Sequence, residues 1–161
     1  MWQISNSCCC KPTITPTAPL CGVNLDLTTD TYITNVCCHI NFVLTITNDS
    51  SNTVYCGKVN LNTNKCLAID PASITVNGQV VDNANPNSVD VGTIEGNSNV
   101  VINYQAVVMQ CCRCLRYQVP MTFAVCCCFE QRCYRQLSNS RLIQVCCCCC
   151  NGNADTNTTG Q

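Results

Sequence analysis

The chain contains five runs of adjacent cysteines: Cys8–Cys10, Cys37-Cys38, Cys111-Cys112, Cys126–Cys128 and Cys146–Cys150. Neighbouring Cα atoms stand about 3.8 Å apart, whereas a disulfide usually spans roughly 4.4–6.8 Å between Cα atoms. Adjacent cysteines therefore do not readily bond to one another. On extended backbone their side chains also point to opposite faces, so each run must find partners on two sides at once.

With 20 cysteines in 161 residues, the chain implies an oxidising destination or metal–thiolate chemistry. Its first ten residues carry neither a basic region nor an apolar stretch and do not read as a secretory signal. No apolar run reaches membrane-spanning length. The expectation is an extracellular or spore-surface protein that arrives by an unusual route, for instance after lysis of the producing cell.

The remaining composition favours strands and turns. Charged residues make up 11% of the chain, while Asn, Thr, Val and Ser are abundant, a vocabulary poor for helices. The net charge of −1 gives no global attraction to nucleic acid or an anionic membrane. Charge is nevertheless uneven. Residues 1–100 carry three Lys against six Asp and one Glu, a balance of −4, and residues 101–161 carry five Arg against Glu130 and Asp155, a balance of +3. Head-to-tail contacts between copies could use this asymmetry.

Residues 1–21 read as an extended connector arm, punctuated by Pro12, Pro16 and Pro19 and bracketed by Cys8, Cys9, Cys10 and Cys21. Alternating strands follow. Val23, Leu25 and Leu27 mark the first, and Ile40, Phe42, Leu44 and Ile46 the second, with a turn at residues 48–52. Val54 to Leu61 gives a third. Ile74 and Val76 lead into Asn77-Gly78, a strong hairpin signal. Val89, Val91 and Ile94 form a short strand broken at residues 95–97, and Val100 to Val108 is the longest alternating run. Beyond it, Tyr117 to Val125 and Leu142 to Val145 read as strands, and Cys126 to Leu137 as a hairpin or an irregular loop. The predicted layout is an arm over 1–21, a sandwich over 22–145, and a Cys-rich and then disordered tail over 146–161.

The segment 23–108 resembles the conserved-repeat modules of bacterial surface proteins known as domain of unknown function eleven. The resemblance rests on Phe42-Val43-Leu44-Thr45-Ile46-Thr47-Asn48, Val59-Asn60-Leu61, the stretch Asp70 to Gly78, and Val91-Gly92-Thr93-Ile94-Glu95-Gly96-Asn97-Ser98 with the strand after it. It implies an immunoglobulin-like sandwich with an adhesive or structural role and no catalytic residues. Cys37-Cys38 stands where such modules carry a Gly-Asp turn, and the Cys-rich final third has no counterpart there. In architecture the Cys-rich extensions also resemble those of spore appendage and exosporium subunits.

Energetics point the runs outward. One disulfide typically contributes about 2–4 kcal/mol, and a domain needs a net of only about 5–15 kcal/mol. Up to ten bridges exceed what one sandwich requires, so some are expected to join chains. The inter-subunit candidates are Cys8, Cys9, Cys10, Cys111, Cys112, Cys114, Cys126, Cys127, Cys128, Cys146, Cys147, Cys148, Cys149 and Cys150. Cys21, Cys37, Cys38, Cys56, Cys66 and Cys133 remain open between internal and external pairing.

Rival chemistries are weaker. Cys111-Cys112-Arg113-Cys114 and the Cys147/Cys150 pair have spacings that zinc or copper(I) accepts, so a metal–thiolate module is the main alternative, with a monomeric disulfide-rich adhesin as another. A redox C-x-x-C requires a helix N-terminus, which the pattern lacks. Cys38-His39, with the chain's one histidine, has no orienting third group. Arg113, Arg116, Arg132, Arg135 and Arg141 beside Tyr117, Phe123, Phe129 and Tyr134 would suit stacked bases, but read better as a strand surface over core aromatics. The sequence therefore predicts an all-β, immunoglobulin-like or jelly-roll sandwich that is not an enzyme and needs no cofactor. Its expected partners are copies of itself, joined head to tail, and related Cys-rich surface proteins, with no nucleic acid and no membrane span.

Overall fold

In the computed structural model, residues 21–127 and 130–149 are described. The arm's residues 1–20, the terminal segment 150–161, and with them Cys8, Cys9, Cys10, Cys128 and Cys150, lie outside the described residues.

Thirteen strands follow in chain order: β1 (Val23–Thr29), β2 (Ile33–Val36), β3 (His39–Asn48), β4 (Val54–Val59), β5 (Leu67–Ile69), β6 (Thr75–Val76), β7 (Gln79–Val80), β8 (Val89–Ile94), β9 (Ser98–Val108), β10 (Cys114–Tyr117), β11 (Pro120–Cys127), β12 (Glu130–Leu137) and β13 (Arg141–Cys149). A 3₁₀ turn, Pro71–Ser73, is the one helical element among the described residues, and no helix is long and apolar enough to cross a membrane. One sheet runs β1-β3-β9-β6-β7, with β5 also on β9. A four-stranded sheet, β12-β11-β4-β8, and a three-stranded one, β10-β13-β2, share a single apolar core with it. The fold is the expected all-β sandwich.

The centre is the antiparallel β3–β9 pair, from His39↔Val107 to Asn48↔Ser98. Its alternation buries Ile40, Phe42, Leu44 and Ile46 from one strand and Ile102, Tyr104, Ala106 and Val108 from the other. Each fully buried large aliphatic or aromatic side chain contributes about 1.5–3 kcal/mol. Phe42 meets Tyr117 of the three-stranded sheet at 4.8 Å between ring centroids. Below that contact the Tyr104 and Tyr117 hydroxyls lie 2.8 Å apart, and Tyr117 Oη donates to the Leu61 carbonyl at 2.8 Å. Asn77 and Gly78 have φ of 51° and 81°, the paired left-handed geometry of a two-residue hairpin turn, as the sequence predicts.

Three expectations change. The Tyr117 to Val125 stretch divides into β10 and β11, which belong to different sheets. Pro120 supplies no N–H, and the Val119 peptide between the strands bonds to Ser138, through Ser138 Oγ at 2.9 Å and Ser138 N at 2.8 Å. The segment left open between hairpin and loop is a hairpin, β11 on β12, in register from Pro120↔Leu137 to Cys127↔Glu130. The sandwich also does not stop at residue 145. β13 continues to Cys149 and pairs in parallel with β2, placing Cys146 beside Asn35 and Cys149 beside Val36. Cysteine behaves as a small apolar residue, so the run extends the strand instead of opening a tail.

Candidate cross-linking sites at the two ends of the sandwich

The β3–β9 register sorts the cysteines. At one end stand the starts of β1 and β9 and the close of β3 and β8. Cys21 lies here, exposed and free, with φ of 53°. The end is closed by Asn48, fully buried, whose Nδ2 donates to the carbonyls of Asn52 (2.7 Å), Ile94 (3.2 Å) and Glu95 (3.2 Å). Its Oδ1 accepts from Ser50 N and Oγ. A Cβ on Gly96 would lie 2.7 Å from the Ser51 carbonyl, so only glycine lets these loops touch. Cys56 sits near this end at a bulge of β4, with φ of 54°, and Cys133 on the outer strand β12; both are disulfide-bonded. The backbone of Cys126 and Cys127 runs here at the tip of β11.

The other end gathers the turn from β2 to β3, the approach to β5, the exit of β9 and the far end of β13. Backbone bonds tie them together: Cys37 N to Val108 O at 2.7 Å, Val108 N to Cys38 O at 3.1 Å, and Met109 N to Cys66 O at 2.7 Å. Two disulfides close this end, Cys66–Cys112 and Cys111–Cys147, with Cα separations of 6.5 and 5.1 Å. Cys37 and Cys114 are exposed free thiols, Cys146 is a half-buried free thiol, and Cys38 is half-buried. Cys37 has φ of 72°, the left-handed turn position that glycine usually fills. Cys148 and Cys149 belong to β13 by their backbone.

These pairings correct part of the sequence expectation. Cys111, Cys112 and Cys147 were inter-subunit candidates, but in this structure each is bridged within the chain. The geometric premise survives: Cys111 and Cys112 turn to different partners, one on β13 and one before β5. Of the cysteines left open, Cys66 is internal, Cys56 and Cys133 are oxidised, and Cys21 and Cys37 are free. The metal–thiolate reading of the 111–114 segment loses two of its three sulfurs to disulfides, because a bridged sulfur offers no thiolate. The described half of the Cys147/Cys150 pair is bridged as well.

The histidine and the arginine–aromatic set lie on the strand surface and in the core. His39 opens β3 on the surface, its Nδ1 3.2 Å from Gln105 Oε1. Tyr117, Phe123 and Tyr134 are core residues and offer no stacking platform. Arg141 Nε donates to the Leu27 carbonyl, and Arg116 Nε to Ser140 Oγ. Three open clefts, of about 220, 300 and 310 Å³, contain neither histidine nor cysteine and a single carboxylate, Asp82.

No protein-family model matches the chain, and no curated protein matches its sequence. Solved structures do share its fold. BslA, described as a bacterial hydrophobin, superposes with a TM-score of 0.56 at 12% identity, over 80% of this chain and 98% of its own. AvmM, described as catalysing macrocyclisation in alchivemycin A biosynthesis, also gives 0.56, at 5% identity over 84% and 96%. The major pilin SpaD of Corynebacterium diphtheriae gives 0.48 at 8% identity, over 76% of this chain and 34% of the pilin. A bacterial hydrophobin and a macrocyclising enzyme thus share this architecture, and what places this chain among them is its β-sandwich fold alone.

Proposed function

We propose that this protein is a non-catalytic structural subunit that assembles with copies of itself into an extracellular or spore-surface fibre or layer and is then locked by disulfides. The observation that carries the reading is the set of thiols left over after internal pairing. Exposed Cys21 stands at one end of the sandwich, and exposed Cys37 and Cys114 at the other. A domain whose core and internal bridges already suffice gains little stability from more thiols, whereas a polymer gains resistance from bonds between chains. Residues 1–20, which bring Cys8, Cys9 and Cys10, join the sandwich at Cys21 and so enter at one end of it. Each bond between chains oxidises two thiols, releasing two protons and passing two electrons to molecular oxygen or a small disulfide such as oxidised glutathione. The fold shared with the hydrophobin BslA and the resemblance of residues 23–108 to surface-protein modules point the same way. The related Cys-rich surface proteins would be further partners.

The test is oxidation of the purified full chain with oxidised glutathione, followed by electrophoresis in SDS with and without reductant. The expected result is a ladder that collapses to monomer on reduction, with peptide mapping that finds bonds between chains. A single band under both conditions, with all sulfurs free or paired within one chain, overturns the reading.

A further inference from the structure

The two ends of the sandwich differ in charge as well as in sulfur content. At the Cys21 end, the loops after β3 and β8 carry exposed Asp49 and Glu95 and no lysine or arginine. Asn48 holds these loops together, since its own peptide leads into Asp49 and its Nδ2 bonds the Glu95 carbonyl at 3.2 Å. At the Cys37 end, the loops before β5 and after β9 carry exposed Lys65 and Arg113 and no carboxylate. The Cys66–Cys112 disulfide fastens the residues beside them. None of the four charges takes part in an ion pair among the described residues. These two sets of loops therefore carry charges of opposite sign, each on a rigid frame, with exposed Arg132 of β12 standing on the strand beside the acidic loops.

We infer that the acidic end of one copy docks on the basic end of the next, making the cross-linked polymer an axial, head-to-tail one. The inference rests on the proposed structural role and adds to it the surfaces that meet. Because the contact uses two different patches, each added copy leaves one patch open at either tip, and growth stays open-ended wherever the rotation between copies does not close a ring. The same seam brings exposed Cys21 of one copy toward the thiols Cys37 and Cys114 of another. There, oxygen or oxidised glutathione as electron acceptor completes a bond. Exposed charge pairs give weak affinity but set orientation and speed encounter, so docking aligns the thiols before oxidation makes the joint permanent.

Charge reversal tests this in the full chain. Lys65→Glu with Arg113→Glu makes both ends acidic, and Asp49→Lys with Glu95→Lys makes both basic; thermal melting checks that each folds. The neutral set Lys65→Gln with Arg113→Gln serves where a reversal does not. Each variant alone should form inter-chain cross-links about tenfold or more slowly in dilute buffer. An equimolar mixture of the two reversals should recover the wild-type rate, since unlike ends again meet. Variants that cross-link at the wild-type rate, or a mixture no faster than its parts, overturn the end-to-end contact while leaving the structural role standing. A wild-type chain that forms no inter-chain bond overturns both.

Discussion

The side-chain amide of Asn139 bonds the backbone of Leu27 on both sides, Nδ2 donating to the carbonyl at 3.0 Å and Oδ1 accepting from the N–H at 2.7 Å. Arg141 Nε donates to the same carbonyl. β1 is the outer strand of its sheet, and an unpaired edge invites indiscriminate strand addition. Asn139 imitates a neighbouring strand at one residue and closes that edge in the middle. Asn139→Ala should cost about 1 kcal/mol of stability and raise association that reductant does not reverse. Light scattering in excess reductant, with urea denaturation alongside, checks both.

The buried tyrosine pair ties the sheets together. Tyr117→Phe removes the donor to Leu61 O and leaves the Tyr104 hydroxyl without its partner, so it should cost about 1–3 kcal/mol. Tyr104→Phe, which leaves the Tyr117–Leu61 bond in place, should cost less. Burial above all raises both phenols above their ordinary value near 10. The folded state therefore keeps protons that the unfolded chain gives up, and stability falls as pH rises above about 10. Denaturation midpoints between pH 8 and 11 should decline in the wild type, and the double Phe variant should lack the part of that decline due to these two phenols.

Much of this frame was readable beforehand, and the reasons are local. Strands β1, β3 and β9 alternate apolar and polar residues with one face buried, so periodicity reports them directly. The Asn77-Gly78 turn is dictated by backbone conformation. By contrast β2 and β5, with four and three residues, are too short to show a period and exist through their neighbours, β13 and β9. Asn48, which continues the core-facing row of β3, could have signalled a buried polar node, since an asparagine in phase with Ile40 to Ile46 must satisfy its amide. Disulfide partners are set by which loops share an end of the sandwich. Cys66 meeting Cys112 and Cys111 meeting Cys147 are separated by 46 and 36 residues, and no spacing rule contains them.

Asn48 is the residue on which the Cys21 end depends. Asn48→Ala strips partners from three carbonyls and from Ser50, and should destabilise by about 2–3 kcal/mol. The loops bearing Asp49 and Glu95 should then exchange their amide protons faster. Hydrogen exchange at Ser50 and Asn97, whose backbone groups join the loops at 3.0 Å, reads this directly.

Two classes of cysteine should separate by what their loss changes. Closing a loop of 46 or 36 residues restricts the unfolded chain by about 4 kcal/mol in the chain-entropy account. Replacing Cys66 and Cys112 together by alanine should therefore lower the denaturation midpoint markedly under oxidising conditions, and make it match the wild type in reductant. Serine at Cys21, Cys37 and Cys114 alters exposed side chains that close no loop in the folded chain. That triple variant should keep wild-type stability to within about 0.5 kcal/mol, as surface changes do, while losing inter-chain bonds through the sandwich ends. Urea midpoints and non-reducing electrophoresis on the same two variants divide the outcomes. A triple variant that unfolds early would assign these thiols to internal pairing, because a thiol kept for a neighbour contributes nothing to the stability of a solitary chain.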